Sequence, residues 1–516
     1  MQTRTIVILL CLSVITGCVF IRLTTGEFLY ADDNAHVYRN TRVISDRFSD
    51  ILTFWENPYN GLYIPLTYTA WSLQAKIPRV FSNFSAKPDA RIFHSFNVLI
   101  HIIVVWLVFW ILFLISKDDI AAFAGALLFA IHPVQVESVA WISELKGLLG
   151  GLFSFLSILL YVIYLQTEQI NNSLKSNRIY LLAAICVFLL ALISKPSTIV
   201  TPLIAFVIAV SRYHRSVRQT VKEMLPWLAM TILIMYYTSS MQSDTMIDFI
   251  PPLGSRFLIA GDNVSFYVYK VFFPVNLTFD YGRYPQYVLG QPWIWITGLL
   301  PYIALPLLLI AWKRLGRQGN WVISAIAIFI FGLIPVLGFK PFFYQSISGQ
   351  ADRYLYLSLF GPALALTCFL AGKRNIFAWG MTGLVLLIMM GMTYHQTGFW
   401  LTNRLFLEHM HAVNPRSTSY YSCLVQQAFE ENDFSQAAVY CEQSLKIQNS
   451  SGIRCLLGAI LMRQGKYKES IVEYSEAVHI NPRLGLAYEQ LAKLYTLTHN
   501  YPKACKSVEQ ALGLNP

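Results

Sequence analysis

Apolar residues dominate long stretches of this chain, several of them roughly 17–24 residues long, the length that suits a bilayer core. They lie at 5–24, 92–115, 120–138, 147–165, 179–194, 197–211, 225–240, 292–311, 321–338, 354–371 and 376–395. This pattern predicts eleven membrane-spanning helices. A further apolar run, Phe257–Phe273, carries Asp262 and Lys270 and is followed by Pro274, which points to a partly buried or re-entrant helix. Between the first two spans, Val43, Ile44, Phe48, Ile51, Leu52 and Trp55 recur at helical spacing among charged residues. That pattern fits either a helix lying on the bilayer or one packed on its own domain.

The pattern changes from about residue 415 to polar amphipathic helices with a period. Leu457-Gly458, Tyr467, Tyr474, Ala477 and Pro482 recur as Leu491-Ala492, Tyr501, Val508, Ala511 and Pro516, a spacing of 34 residues between the Ala and the Pro positions. The period and the residue types are those of tetratricopeptide repeats, paired antiparallel helices. A degenerate earlier unit places Phe434, Ala437 and Leu445 comparably. About three repeats are expected, the minimum for a stable stack.

Composition agrees with a membrane protein. The 516 residues are 55% hydrophobic and 13% charged, with a mean hydropathy of +0.48. A soluble domain carries about 25% charged residues. The net charge of +11 is not a nucleic-acid footprint, because Lys and Arg gather in short loops between apolar runs. Arg212, Arg215, Arg218 and Lys222 form one group, Lys313, Arg314 and Arg317 another, Lys373 and Arg374 a third. With Arg4 inside and eleven alternating spans, all three groups fall in the cytoplasm, as the positive-inside rule requires. The acidic loop after the first span, the turns near 133–146, 194–197 and 339–353, and the repeats then fall outside. The apolar N-terminal run continues past Cys18 to Leu23, which favours an uncleaved helix over a signal peptide. Four cysteines lie in apolar runs and four in the C-terminal segment, with no zinc-ligand spacing.

Polar residues in and beside the spans are the candidate chemistry. His94, Asn97 and His101 follow i, i+3, i+7 spacing and share one helix face, with His101 about 10 Å deeper than His94. Such a face is expected to line a cavity. The stretch 131–147 carries His132, Glu137, Glu144 and Lys146, while Lys195 and Arg353 add cations at two further outer boundaries. Arg353 pairing with Asp352, and Lys195 snorkelling to headgroups, are the simpler alternatives. A carboxylate at such a surface can take a proton from a hydroxyl nucleophile. Fixed cations can stabilise a departing phosphate.

These stretches resemble a known family. Tyr30-Ala31-Asp32-Asp33, Tyr63-Ile64-Pro65-Leu66-Thr67, Phe93-His94, His132-Pro133-Val134 through Trp141, Ser194-Lys195-Pro196, Phe273–Leu277 and Ala351–Leu357, followed by the repeats, resemble the transmembrane-and-tetratricopeptide-repeat O-mannosyltransferases and their bacterial relatives. That family lies within the GT-C class of polyprenol-dependent glycosyltransferases. The resemblance implies that Asp32 and Asp33 belong to the acidic motif supplying the catalytic base. It also implies inverting transfer from a polyprenyl-phosphate sugar to an acceptor hydroxyl. The short repeat array departs from the better-known members and leaves sugar and acceptor open.

The expected fold class is all-α: a polytopic membrane helical bundle over 1–397, a linker over 398–414, and an α-solenoid of tetratricopeptide repeats over 415–516. The expected function is a membrane glycosyltransferase acting on the outer face. Asp33 or Asp32 is the base, Glu137 a second acid that orients the acceptor or assists the base, and Lys195, Arg353 and Lys146 hold the phosphate. His94, Asn97, His101, His132 and Glu144 complete the candidate substrate site. The expected partners are a polyprenyl-phosphate sugar donor, membrane lipid, and a protein acceptor engaged by the repeats, with no nucleic acid. The expected place is a bacterial inner membrane with periplasmic catalytic loops, or an endoplasmic-reticulum membrane with lumenal ones. The Asp-Asp pair offers oxygen ligands to a divalent cation, but no full ligand set is visible, so the cofactor is left open. The rival readings are transfer to a lipid-linked or envelope glycan, oligosaccharide transfer to pilin-like proteins, and a non-catalytic scaffold.

Overall fold

A computed structural model describes residues 2–81, 87–170, 174–241, 247–373 and 375–514. Arg374 and Pro516, and the side chains of Lys313, Arg314 and Arg317, lie outside what is described. Among the described residues the chain is helical throughout, with one isolated bridge between Tyr59 and Leu62. The helices are α1 (Gln2–Phe20), α2 (Phe48–Glu56), α3 (Pro65–Phe81), α4 (Ala90–Ser116), α5 (Asp119–Ile131), α6 (Val136–Ala140), α7 (Leu145–Ile170) and α8 (Leu174–Ser194). There follow α9 (Thr201–Arg212), α10 (Val217–Met241), α11 (Leu253–Phe272), α12 (Pro285–Leu289), α13 (Ile294–Leu333), α14 (Leu355–Ser358), α15 (Phe360–Leu370) and α16 (Ile376–Thr397). The C-terminal helices are α17 (Asn403–Val413), α18 (Thr418–Glu430), α19 (Phe434–Ile447), α20 (Ser451–Arg463), α21 (Tyr467–Ile480), α22 (Gly485–Leu497) and α23 (Tyr501–Leu514).

The eleven apolar stretches all fall on these helices, but they are unequal. Four described helical segments are long and apolar enough to cross a membrane: Thr3–Thr25, Ala90–Ser116, Ile142–Gln169 and Ile376–Trp400. Two bent pairs, Asp119–Ile131 with Pro133–Ala140 and Asp352–Ser358 with Phe360–Leu370, raise the number to six if each is one span. The stretches 179–194, 197–211, 292–311 and 321–338 lie on shorter apolar helices. The predicted run at 257–273 is the 20-residue helix α11, which is not among these candidate spans. Its Asp262 is buried against Arg283 (2.6 Å), and Lys270 donates to Val275 O (2.6 Å).

The helix α13 cannot be straight. Forty residues would extend about 60 Å. Yet Thr297 near its start donates to Asp262 (2.6 Å), while Leu337 just past its end accepts from the adjacent Asn263 (3.1 Å). Its apolar arms, Ile294–Ile310 and Asn320–Val336, therefore fold back on one another, as the basic turn between two predicted spans requires.

The bundle has two chemically distinct ends. At one, Arg4 pairs with Asp119 (2.8 Å), Arg212 donates to Ile115 O (2.7 Å), and Gly372 N donates to Asp118 (3.0 Å). The loop after α1, the 132–146 turn and residue 403 meet at the other, through contacts described below. The outer loop has its own small core of Val37, Val43, Phe54, Ile64, Tyr68, Trp71 and Phe93, joined by Ile142, Leu145 and Leu149. The helix α2 packs Ile51 and Phe54 into the protein, as one of the two expected arrangements has it, and leaves Phe48, Leu52 and Trp55 exposed.

From α18 to α23 each helix packs on the next, giving three helix pairs. Of the periodic residues, Ala437, Leu457, Tyr474, Ala477, Leu491 and Ala511 are buried in their core, while Tyr467, Tyr501 and Val508 are exposed. The stack is fastened to the membrane unit by Asp280, whose carboxylate accepts from Ser417 Oγ (2.7 Å) and Ser419 N (3.2 Å) at the start of α18. Replacing Asp280 by Ala leaves those buried donors without a partner, and is expected to lower the unfolding free energy by about 1–3 kcal/mol. Denaturant unfolding in detergent, followed through proteolysis of the 414–418 junction, measures this.

Candidate active site

The site is built on an unusual turn. His132 ends α5, with Pro133 after it removing a backbone donor and disfavouring helix at the preceding residue. The chain bends by 51° there and reaches α7 through two short turns. Side chains behind the turn hold it. Asn97 donates to the carbonyls of both Val139 (3.2 Å) and Trp141 (3.1 Å). His101 bonds the Ala130 carbonyl (3.0 Å) and the Tyr356 hydroxyl (3.0 Å). His132 Nε2 reaches Val271 O (3.0 Å), and His94 Nε2 reaches Glu27 O (3.2 Å).

This corrects the expectation that His94, Asn97 and His101 line a cavity, and that His132 meets substrate. The first three have no exposed surface, His132 has 1%, and all four bond backbone carbonyls. A polar stripe on an apolar helix satisfies buried peptide groups here, which bilayer burial makes costly to leave open.

On its front the turn presents charge. Glu137 is locked to Arg353: the Arg353 amide donates to Oε2 (3.0 Å) and the guanidinium contacts Oε1. The Arg353 guanidinium also lies 4.1 Å from the Tyr344 ring centre and 5.2 Å from that of Trp141. Glu137 therefore orients Arg353, and is not free to act as a second acid. Asp352, expected as an alternative partner, instead accepts from Tyr281 (2.7 Å). Glu144 is buried and joins two ammonium groups, Lys195 in direct contact and Lys146 at 3.5 Å. Lys146 also donates to Ser143 O (2.9 Å). With side chains 17% and 18% exposed, Lys146 and Lys195 keep access to solvent while Glu144 has 1%. Two ammonium groups on one carboxylate leave a surplus positive charge.

Lys195 and Arg353 line one narrow cleft of about 30 Å³ with Thr198, Tyr354 and Gly147. Gly147 leaves room there: a Cβ would push on the Glu144 carboxylate and lie 3.0 Å from Lys195 Nζ, so both side chains would have to move.

The acidic loop docks on the same turn. Asp33 has no exposed surface; its Oδ1 accepts from Ser143 N (2.9 Å) and Ser143 Oγ (2.6 Å), its Oδ2 from Leu29 N (3.0 Å). Trp141 Nε1 donates to Ala31 O (2.6 Å) beside it. Burial pushes the Asp33 carboxyl up to about 7, against the opposing effect of these hydrogen bonds. Asp32 is the reverse: exposed, with φ +66°, a left-handed conformation that costs a non-glycine residue roughly 1–2 kcal/mol. Its charge and that of Lys146 both act on His36, whose imidazole burial lowers to about 4 and which bonds Tyr68 OH (2.8 Å).

Adjacent aspartates in sequence thus have different places: Asp33 anchors, Asp32 is presented. Ser143, His36, Trp141 and Tyr344 were not singled out by the sequence. A signal for Ser143 and Trp141 was their place inside the charged turn 131–147. Among the described residues, no group of three or more His, Cys, Asp or Glu is placed to hold a metal ion.

No family model matches the chain. It is similar to Protein O-mannosyl-transferase F38B6.6 of Caenorhabditis elegans, 22% identical over 515 residues, covering 94% of this chain and 64% of that protein. The resemblance to O-mannosyltransferases read from the motifs is borne out by this relative. The chain spans less than two thirds of the relative's length. Two solved structures of an Archaeoglobus fulgidus oligosaccharyltransferase are distantly similar, both at 12% identity. The complex with zinc and sulfate has a TM-score of 0.40, covering 76% of this chain and 52% of that one. The form tethered to an acceptor peptide has 0.41, covering 84% and 58%.

Two substitutions separate the aspartates by stability. Asp33→Ala strands the buried donors of Leu29 and Ser143 and is expected to cost about 1–3 kcal/mol. Asp32→Gly removes the left-handed strain and is expected to leave stability unchanged or raise it by up to about 1 kcal/mol. Denaturant midpoints in detergent give both values. A raised folded pKa favours the folded state below the ordinary value of 3.8, and that contribution is lost as pH rises toward about 7. Asp33→Asn, which cannot ionise, is expected to flatten the pH dependence of stability in that window.

Proposed function

We propose that this protein is a membrane glycosyltransferase that moves a sugar from a polyprenyl-phosphate donor to a Ser/Thr hydroxyl on the outer face, with inversion. The observation that carries the reading is the exposed carboxylate of Asp32, on a left-handed backbone, next to the buried Asp33 that docks its loop on Ser143, beside the cations Lys146 and Lys195 that share Glu144. Strained backbone persists where surrounding structure over-determines it, and it concentrates at functional sites. The Caenorhabditis elegans relative is named as an O-mannosyl-transferase, which supports the same chemistry.

The donor's tail would stay in the bilayer and its phosphate would meet Lys195 and Arg353 at their cleft, with Lys146 beside them. Asp32 takes the proton of the acceptor hydroxyl. The hydroxyl oxygen bonds to the anomeric carbon as the bond from that carbon to the phosphate oxygen breaks. The electron pair leaves on the polyprenyl phosphate, and the cations offset the charge that develops there. Glu137 and Glu144 hold those cations in place and keep two of them from repelling each other apart. His36, held neutral near pH 7 by burial, does not compete for the proton. The three helix pairs present the protein acceptor on the side of the acidic loop.

Asp32→Asn is expected to lower turnover by about 10²–10⁴-fold, the share that a positioned general base contributes. The assay is transfer of labelled hexose from polyprenyl-phosphate mannose to a Ser/Thr-rich peptide in proteoliposomes. Near-normal turnover in this variant would sink the assignment.

A further inference from the structure

The acidic loop is gripped from two sides, and the second grip comes from the C-terminal stack. On one side Asp33 and Ala31 are tied to Ser143 and Trp141. On the other, Glu430 at the end of α18 accepts from Asn34 Nδ2 (2.8 Å) and pairs with Arg39 (2.9 Å). The Tyr30 phenol is pushed up to about 12, by burial first and then by the charge and hydrogen bond of Glu430. Asn403 reinforces this side: its Oδ1 accepts from Tyr30 N (2.8 Å) and its Nδ2 donates to Phe28 O (2.9 Å). Asp32 sits between Tyr30 and Asn34, and within 27–40 it is the residue with a left-handed backbone. A left-handed non-glycine residue relaxes when either flank is released.

We infer that Glu430 is a positioning residue: through Asn34, Arg39 and Tyr30 it holds the loop in the conformation that presents Asp32, which makes the C-terminal stack a structural part of the transfer site. Arg39 is half-exposed and its ion pair is screened by water, so Asn34, 4% exposed, carries most of the effect. The stack then does more than present an acceptor. Docking and undocking of α18 would set how much of the protein has a competent base, because a misplacement of about 1 Å at a reacting group can cost about 10²-fold in rate. The inference rests on the reading of Asp32 as the base.

The test uses the full chain in lipid nanodiscs with two readouts: hydrogen exchange of residues 27–40, and hexose transfer from polyprenyl-phosphate mannose to a Ser/Thr-rich peptide. Glu430→Ala is expected to speed exchange across 27–40 and to lower kcat roughly tenfold to a hundredfold with the donor KM unchanged. Glu430→Gln keeps an oxygen for Asn34 and is expected to recover most of both. Asn34→Ala combined with Glu430→Ala is expected to be no worse than Glu430→Ala alone, since the Asn34 contact is already lost there. Wild-type exchange in Glu430→Ala, or fully additive losses in the double variant, overturns the inference. Faster exchange in Glu430→Ala together with full turnover in Asp32→Asn would instead sink the transfer reading while upholding the contact.

Discussion

The Asp33 carboxylate, with no surface exposed, takes hydrogen bonds from Leu29 on its own loop and from both the amide and the hydroxyl of Ser143. The two bonds from Ser143 join the loop after α1 to the turn before α7, and the third folds the loop around the carboxylate. The rest of the candidate site follows from that junction. The turn carries Glu137, Glu144 and Lys146, and through them Arg353 and Lys195. The loop carries Asp32. Burying a carboxyl is costly unless its partners are complete, and the push of its pKa to about 7 records that cost. The junction is therefore specific: a shorter or misplaced loop would leave both the carboxyl and its donors unpaired.

The turn itself depends on the polar face of α4. A segment that breaks helix at Pro133 and again after Ala140 exposes carbonyls that no neighbouring turn can satisfy. Asn97 and His101 reach across to meet them. Charged groups in front and carbonyl-binding groups behind are thus two halves of one device. The cleft between Lys195 and Arg353 opens where this device meets the 352–357 turn. Glycine at 147 leaves room for two ammonium groups on one carboxylate.

Much of this was legible in the sequence, for physical reasons. Apolar runs report burial in lipid or protein directly, and all eleven lie largely on helices, four to six of which are long and apolar enough to cross a membrane. The 34-residue period located helices whose recurring small residues Ala437, Ala477 and Ala511 are buried in their core, while the recurring Tyr467 and Tyr501 are exposed. Grouped charges at 131–147, 195 and 353 did come together. What escaped was direction and distance. Spacing of i, i+3, i+7 places His94, Asn97 and His101 on one face, but cannot say whether that face meets water or carbonyl oxygen. Asp32 and Asp33 are chemically identical in sequence; only the positive φ of one and the burial of the other separate them. Glu430 and Asp280 act on residues 396 and 137 positions away, a separation that no local pattern encodes.

The central claim is that a sugar-bearing polyprenyl phosphate seats its phosphate on Lys195 and Arg353. Native mass spectrometry of the protein, released from mild detergent, measures this most directly. The account predicts a co-purified polyprenyl monophosphate bearing one hexose, depleted when Lys195 is replaced by Ala. A long glycan on a polyprenyl diphosphate, or the same lipid occupancy in wild type and Lys195→Ala, would contradict it.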